Sequence, residues 1–183
     1  MNNHKPDMSG FSMLELIVVV AIIGILSGLS IVTFGQRLQK ENLKLSTREA
    51  KAWLQALQNK AIQQNKICEI VIDKSLNKAS QITSTDSAIN EDERCTNIGS
   101  YNFEATIQSL NTDGQNNSVC PLGQEAGKLV ITYTARGTLP CGGEILLTRD
   151  DTNTTRCIAL SAPLGVIREG IQHQGTCDYT SAH

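Results

Sequence analysis

Aromatic residues are scarce in this chain, and neither sign of charge dominates. Phe, Tyr and Trp make up 4% of its 183 residues, and 16 Lys and Arg stand against 18 Asp and Glu, for a net charge of −2. This balance argues against a strongly basic nucleic-acid binder and against an acidic disordered chain. The sequence also lacks a repeat at solenoid periods, which argues against a repeat architecture.

Motifs of catalysis and of metal binding are also missing. The sequence has no nucleophile elbow, phosphate-binding loop, zinc-protease helix or dinucleotide fingerprint. Its histidines, His4, His173 and His183, lie near the two ends of the chain. Zinc sites use closely spaced cysteine pairs, whereas the nearest cysteines here, Cys141 and Cys157, are 16 positions apart. We therefore expect no enzyme, no metal site and no cofactor.

One long apolar run dominates the N-terminal part. Residues 16–34 are 19 consecutive uncharged, mostly apolar residues, enough for a helix to cross the core of a bilayer. A core helix would be amphipathic. A secretory signal would have a basic region before the run and a small-residue cleavage site after it, but here the preceding segment holds only Lys5 against Asp7. The run therefore predicts a retained membrane helix.

Glu15 is the only ionisable residue at the start of this apolar segment. A carboxylate in a membrane helix costs about 2.5–3.5 kcal/mol at the bilayer centre, and less near the end of the helix. A residue that carries such a cost needs a partner of opposite charge.

Residues 10–15, Gly-Phe-Ser-Met-Leu-Glu, together with the apolar run, resemble the class III signal of type IV pilins and type II secretion pseudopilins. The resemblance implies that a prepilin peptidase cuts between Gly10 and Phe11 and methylates Phe11. It also implies that Glu15 pairs with the N-terminal amine of a neighbouring subunit during assembly. Such a pair is physically reasonable, because each charge reduces the desolvation cost of the other.

The apolar run has two further features. Gly24 and Gly28 form a small-xxx-small pattern, which either permits close helix packing or reflects the frequency of Gly in membrane helices. Many pilins carry a helix-bending Pro late in this run, where the present chain has Val32.

Helical signals continue beyond the apolar run. Residues 36–64 contain neither Pro nor Gly, and five apolar residues recur at helical spacing: Ala50, Trp53, Leu54, Leu57 and Ala61. This stripe predicts a face that packs on a globular domain, with Trp53 as a core anchor rather than a ligand platform. We expect helix from Phe11 to about Asn65.

The rest of the chain has the patterns of strands and loops. We predict strands at residues 67–73, 128–133, 144–148, 156–161 and 166–170, with 128–133 and 144–148 paired as an antiparallel hairpin. Residues 74–100 and 111–127 are predicted loops, and the charge run 91–94 is expected to be solvated. The predicted fold class is α+β, with the second half of a long helix packed on a mainly antiparallel sheet.

Segments 133–138, 144–148, 157–161 and 164–168 resemble the C-terminal half of GspH/FimT-type minor pilins and pseudopilins. The two resemblances together imply four regions: a leader (1–10), a transmembrane polymerisation helix (11–35), its amphipathic continuation (36–65) and a periplasmic or extracellular β-rich domain (66–183). They imply a single-pass protein of the bacterial inner membrane that later enters a pilus or pseudopilus. Its expected partners are other pilins or pseudopilins, the prepilin peptidase and the inner-membrane assembly platform.

All six cysteines follow the apolar run, which suggests disulfides in an oxidising compartment. Six cysteines allow 15 pairings. Our expectation is that neighbours along the chain pair, as 68–95, 120–141 and 157–177. The candidate residues are Cys68, Cys95, Cys120, Cys141, Cys157 and Cys177.

The leading hypothesis is a minor pilin or pseudopilin that initiates a filament or lies at its tip. One alternative is a DNA-binding minor pilin for natural transformation, with Arg168 as a candidate contact. Some FimT-like pilins bind DNA through a G-R-x-R motif, but here Val166 stands at the first arginine position. Strong DNA binding would therefore require Arg136, Arg149, Arg156 and Arg168 to cluster. Another alternative is a membrane-anchored domain that does not polymerise.

Overall fold

A computed structural model describes residues 12–82, 89–112, 127–150 and 152–180, without the side chains of residues 27–34, 36, 111 and 112. The chain forms two compact units, Met1–Leu38 and Gln39–His183.

Helix α1 runs from Met13 to Gln64. It ends at Asn65, which adopts a positive φ of 52°, a conformation that asparagine tolerates better than most residues. The amide of the next residue, Lys66, donates to the carbonyl of Ala61 over 3.1 Å and so satisfies one of the last helical acceptors. The predicted end of the helix is thereby confirmed.

The described side chains of residues 12–26 are exposed. Among the residues that the structure describes, no helix combines the length and apolarity that crossing a membrane requires. Residues 27–34 of the predicted span lie outside the described side chains.

In the part of the chain that the structure describes, nine strands follow the helix, with one short 3₁₀ turn, η1, at Glu91–Glu93. In chain order they are β1 (Cys68–Asp73), β2 (Lys78–Gln81), β3 (Tyr101–Asn102), β4 (Thr106–Thr112), β5 (Lys128–Tyr133), β6 (Gly143–Thr148), β7 (Arg156–Ser161), β8 (Val166–His173) and β9 (Thr176–Asp178).

The strands form two sheets whose pairings are all antiparallel. The first has the order β3-β2-β1-β5, and the second has the order β4-β6-β7-β8-β9. The predicted α+β class, a helix followed by antiparallel strands, is confirmed. The prediction of one sheet is wrong, because the strands divide between two.

The core of the Gln39–His183 unit combines the inner face of α1 with both sheets. Helix residues Leu43, Leu54 and Ala61 are fully buried. Strands β1, β5, β6 and β7 contribute alternate side chains to it, as expected for strands with one face in a core: Ile70, Ile72, Leu129, Ile131, Ile145, Leu147, Ile158 and Leu160.

The predicted hairpin between β5 and β6 is wrong. Strand β5 pairs with β1, whereas β6 pairs with β4 and β7. The connection between β5 and β6 turns at Gly137, where φ is +75°, and is then held by the Leu139 amide, which donates to the carbonyl of Pro163. This hydrogen bond ties the connection to the turn after β7, a strand of the second sheet.

The polar segments contain strands that their sequences do not indicate. Strand β2 lies within the predicted loop 74–100, and β3 directly follows that segment. Strand β4 has no predicted counterpart, and β8 extends three residues beyond its predicted end. These strands are polar because one face of each is exposed. Of the predicted solvated charge run 91–94, Glu91, Asp92 and Glu93 are exposed as expected. The prediction is wrong for Arg94, which is buried at the end of η1.

Candidate functional site

The predicted cleavage and methylation residues, Gly10 and Phe11, lie outside the described residues. Glu15 is described, and its exposed side chain lies in the first turn of α1. The Ser12 carbonyl accepts hydrogen bonds from the amides of Glu15 (3.0 Å) and Leu16 (3.2 Å), which starts the helix. An anion near a helix N-terminus is favourable because unpaired amides give that end a partial positive charge.

Of the two glycines expected to permit close helix packing, Gly24 is the one whose surroundings are described. A methyl group added at Gly24 would meet no atom within 4 Å. Its surface is therefore open to close approach by a neighbouring helix. Gly28 lies in the segment whose side-chain surroundings are not described.

The apolar stripe on the second half of α1 is present as predicted. Ala50, Leu54, Leu57 and Ala61 are buried in the core. Trp53 differs from its prediction as a core anchor, because its side chain packs against the core but stays partly exposed. The reason is its position at the edge of the stripe, one residue before Leu54.

The buried face of α1 also contains two hydroxyl residues that the apolar pattern did not reveal. Ser46 and Thr47 are buried, and each donates to the carbonyl four residues earlier, to Asn42 over 3.0 Å and to Leu43 over 2.7 Å. Such bonds satisfy the hydroxyl groups inside the helix itself. The helix can therefore bury polar residues at these positions without a partner from the sheets.

Gln58 links α1 to two loops of the β domain. Its side-chain amide donates to the Gly137 carbonyl over 2.7 Å and to the Gly165 carbonyl over 3.1 Å. These glycines lie 79 and 107 residues away in sequence. One side chain thus holds together the connection after β5 and the turn between β7 and β8.

Neither glycine could carry a side chain in this arrangement. Both have positive φ, +75° at Gly137 and +69° at Gly165. A Cβ at Gly137 would lie 2.7 Å from the Ile62 Cδ1 atom, and one at Gly165 would lie 2.6 Å from the Gly137 carbonyl oxygen. Glycine is required here for both conformation and space.

Disulfides join elements that are distant in sequence. The structure contains the Cys68–Cys95 and Cys157–Cys177 pairs, with Cα separations of 4.9 and 6.2 Å. Both agree with the expected pairing of neighbours along the chain. Cys141 is also disulfide-bonded, while Cys120, its expected partner, lies outside the described residues.

The Cys157–Cys177 bridge passes beside a glycine on the intervening strand. Gly170 of β8 lies opposite Cys157 of β7. A Cβ at Gly170 would lie 2.8 Å from the Cys177 Sγ and 2.5 Å from the Asp178 carbonyl oxygen. The absence of a side chain at Gly170 therefore leaves the space in which the Cys177 side chain crosses β8 to reach Cys157.

A partly buried charge cluster joins α1 to the second sheet. Arg156 is 5% exposed, and its Nε and Nη2 atoms have no hydrogen-bond partner among the described residues. Burial lowers the pKa of Arg156, an effect that the nearby Glu169 carboxylate opposes. Arg48 of α1 donates its Nε to Glu169 Oε1 over 3.5 Å. The Glu169 carboxylate therefore interacts with two guanidinium groups. It accepts a hydrogen bond from Arg48 and attracts Arg156 through its charge.

The four arginines considered for DNA contact do not form one cluster. Arg136 adjoins Gly137 and the Gly165 turn, and Arg168 is on β8 close to that turn. Arg156 lies at the opposite end of β7, and Arg149 follows the strand end that pairs with it. Arg168 lies opposite Ala159, three positions or about 10 Å along β7 from Arg156, and Arg156 is buried. Strong DNA binding would require these four arginines to cluster, and they do not.

One group of metal-ligand residue types converges in the described part of the chain. One atom each of Glu144, Cys157 and Cys177 lies within 4.8 Å of the others. Both cysteines form the disulfide, and thiolate rather than disulfide sulfur is the ligand that zinc and similar metals bind. In this oxidised state the group offers only the Glu144 carboxylate.

The comparisons with known proteins point to the N-terminal segment. Residues 6–31 match the family model for the prokaryotic N-terminal methylation motif. A crystal structure of the type IV minor pilin FimU from Pseudomonas aeruginosa PAO1 is similar at 18% identity and a TM-score of 0.47, over 76% of this chain and 94% of that one. No curated protein matches. The chain thus carries the N-terminal methylation motif of prokaryotic prepilins, which confirms its resemblance to the type IV pilin and pseudopilin family.

Proposed function

We propose that the chain is a minor pilin or pseudopilin. It is inserted in the bacterial inner membrane through residues 16–34, cut after Gly10, methylated at Phe11 and assembled through its N-terminal helix. The match of residues 6–31 to the methylation motif is the observation that carries this proposal. Residues 10, 11 and 15 of the motif have the types that processing and charge pairing require.

The physical role of Glu15 follows from the membrane environment. Cleavage before Phe11 leaves a free amine four residues from the Glu15 carboxylate, so amine and carboxylate lie at similar depths in the bilayer. A subunit that presents its amine to the Glu15 of a neighbour reduces the desolvation cost of both charges. Correct axial register is therefore favoured over shifted ones, in which both charges remain unpaired.

The β domain would supply the contacts that distinguish this subunit from others in the filament. We place it at the initiating end or the tip, with the domain in the periplasm before assembly. This position would suit a domain held together by disulfides, because they resist unfolding outside the cytoplasm. The partners would be other pilins or pseudopilins, the prepilin peptidase and the inner-membrane platform.

The test is incorporation of a Glu15→Ala variant, with Glu41→Ala as its matched control. Glu41 is a second exposed glutamate of α1, 3.9 Å from Lys44. We expect Glu15→Ala to reduce the amount of the chain in purified filaments by about tenfold or more, because the neighbour's amine loses its partner. The control should retain wild-type incorporation. Equal incorporation of both variants would contradict the charge-pairing account.

A further inference from the structure

Two aromatic rings form a partly exposed platform where α1 meets the edge of the first sheet. The rings of Trp53 and Tyr101 stack with centroids 5.3 Å apart and an interplanar angle of 24°. Phe103 is buried behind them and contacts Tyr101 edge to face at 5.0 Å. The platform is therefore supported from below, while Trp53 and Tyr101 each keep part of their surface in solvent.

Two carboxylates flank this platform. Glu49 lies one helical turn before Trp53 on α1, and Glu104 directly follows Phe103; both are exposed. The Ser46 hydroxyl, which donates to the Asn42 carbonyl over 3.0 Å, also lies 3.4 Å from Glu104 Oε2, so this loop is close to α1. The pKa of Tyr101 is raised by burial and, after it, by the charges of Glu49 and Glu104, so both carboxylates act on the same ring.

No described cation neutralises these carboxylates. The ion pairs of α1, Lys44–Glu41 and Arg48–Glu169, involve neither Glu49 nor Glu104. Lys78, on the neighbouring strand, pairs with Asn102 and so shares its face of the sheet, whereas Tyr101 shares the face of buried Ala79. Negative charge thus lies beside two partly exposed aromatic rings.

We propose that the surface formed by Glu49, Trp53, Tyr101 and Glu104, here called the Trp53 surface, binds an arginine side chain of a partner protein. A guanidinium group is planar, weakly hydrated and always charged, so it can stack on an aromatic ring while its N–H groups bind a carboxylate. An ammonium group lacks the flat face that stacks. Anionic partners such as nucleic acid are repelled by the two carboxylates.

The proposal goes beyond filament assembly through the N-terminal helix. Every residue of the Trp53 surface lies in the Gln39–His183 unit, so the surface is present whether or not the helix polymerises. Failure of the Glu15 experiment would leave it untouched, and failure of the experiment below would leave the assembly proposal untouched.

The chain contains a single tryptophan, so its fluorescence reports on this surface alone. We would titrate the full-length protein, in a nonionic detergent, with a capped tri-arginine peptide. The expected result is a saturable change of Trp53 emission that weakens as salt is raised, because the carboxylates are exposed. A capped tri-lysine peptide should bind more weakly and a capped tri-glutamate peptide should cause no change. No response to tri-arginine, or tri-lysine binding as tight as tri-arginine, would overturn the proposal.

A pair of charge-matched variants separates this surface from general attraction of a cation. Glu49→Gln with Glu104→Gln should weaken tri-arginine binding by about 3- to 10-fold, the loss expected for two exposed carboxylates. Glu91→Gln with Glu93→Gln removes the same two charges from the exposed turn η1 and should leave the affinity unchanged. Circular dichroism would verify that both variants are folded. Equal weakening by the two pairs would overturn the assignment.

Discussion

Gln58 has a structural role that its place in the sequence does not reveal. In the sequence it is one polar residue beside an apolar stripe. In the fold its amide contacts two glycine carbonyls that the chain brings together from distant positions. Glu15, by contrast, can be identified from the sequence, because a carboxylate at the start of a long apolar run is unusual. Recognising it requires only the residues next to it. Local patterns revealed one residue, and only the tertiary structure revealed the other.

Gln58→Ala should destabilise the β domain by about 1–3 kcal/mol, because two partly buried carbonyls lose their donor. Urea unfolding followed by circular dichroism would measure the change. The matched control is Gln55→Ala, an exposed glutamine on the same helix, which should change stability by less than about 0.5 kcal/mol. If the two variants were equally stable, the link through Gln58 would contribute nothing to the domain.

At the scale of elements, the sequence predicted those helices and strands whose own residues show a clear apolar pattern. The helix end near Asn65 and the strand at 156–161 follow from local signals: apolar residues at helical spacing without Pro or Gly for the first, and a short apolar run for the second. Strands β2, β3, β4 and β9 were missed because they are polar or very short. Their stability comes from pairing with neighbours, which short-range patterns do not encode.

Strand pairing was the less predictable property of the elements. β5 and β6 are consecutive strands joined by a connection rich in turn residues, which favoured a hairpin. The structure instead places them in different sheets. The Gln58 amide and the bond from Leu139 to Pro163 hold this connection against α1 and the β7–β8 turn, and neither interaction is visible in the sequence.

We expect strand β9 to depend on its disulfide. It has only three residues, pairs with β8 alone and is linked to β7 through Cys177. Replacing Cys157 and Cys177 together by Ala should lower the free energy of unfolding by about 2–4 kcal/mol. Hydrogen exchange should show lost amide protection at 176–178, while β1 in the other sheet serves as the internal control. Unchanged protection of β9 would contradict this role of the bridge.

At the scale of the whole molecule, the functional signals divide along the chain. Residues 6–31 match the methylation motif, whereas the Gln39–His183 unit contains the core, the described disulfides and the Trp53 surface. The methylation motif could be identified from the sequence because its chemistry needs a few residue types at fixed spacing. The Trp53 surface could not be identified from the sequence, because its four residues come together only when β3 packs beside α1.

The central claim is that this chain is processed as a prepilin. The measurement that tests it most directly is mass spectrometry of the chain's N-terminus, in filaments sheared from the native cell and in the membrane fraction. The account predicts a chain that begins at methylated Phe11, in the sheared material for a pilus or in the membranes for a pseudopilus. A chain left uncut between Gly10 and Phe11 in both fractions would contradict it and would leave an anchored domain that does not polymerise.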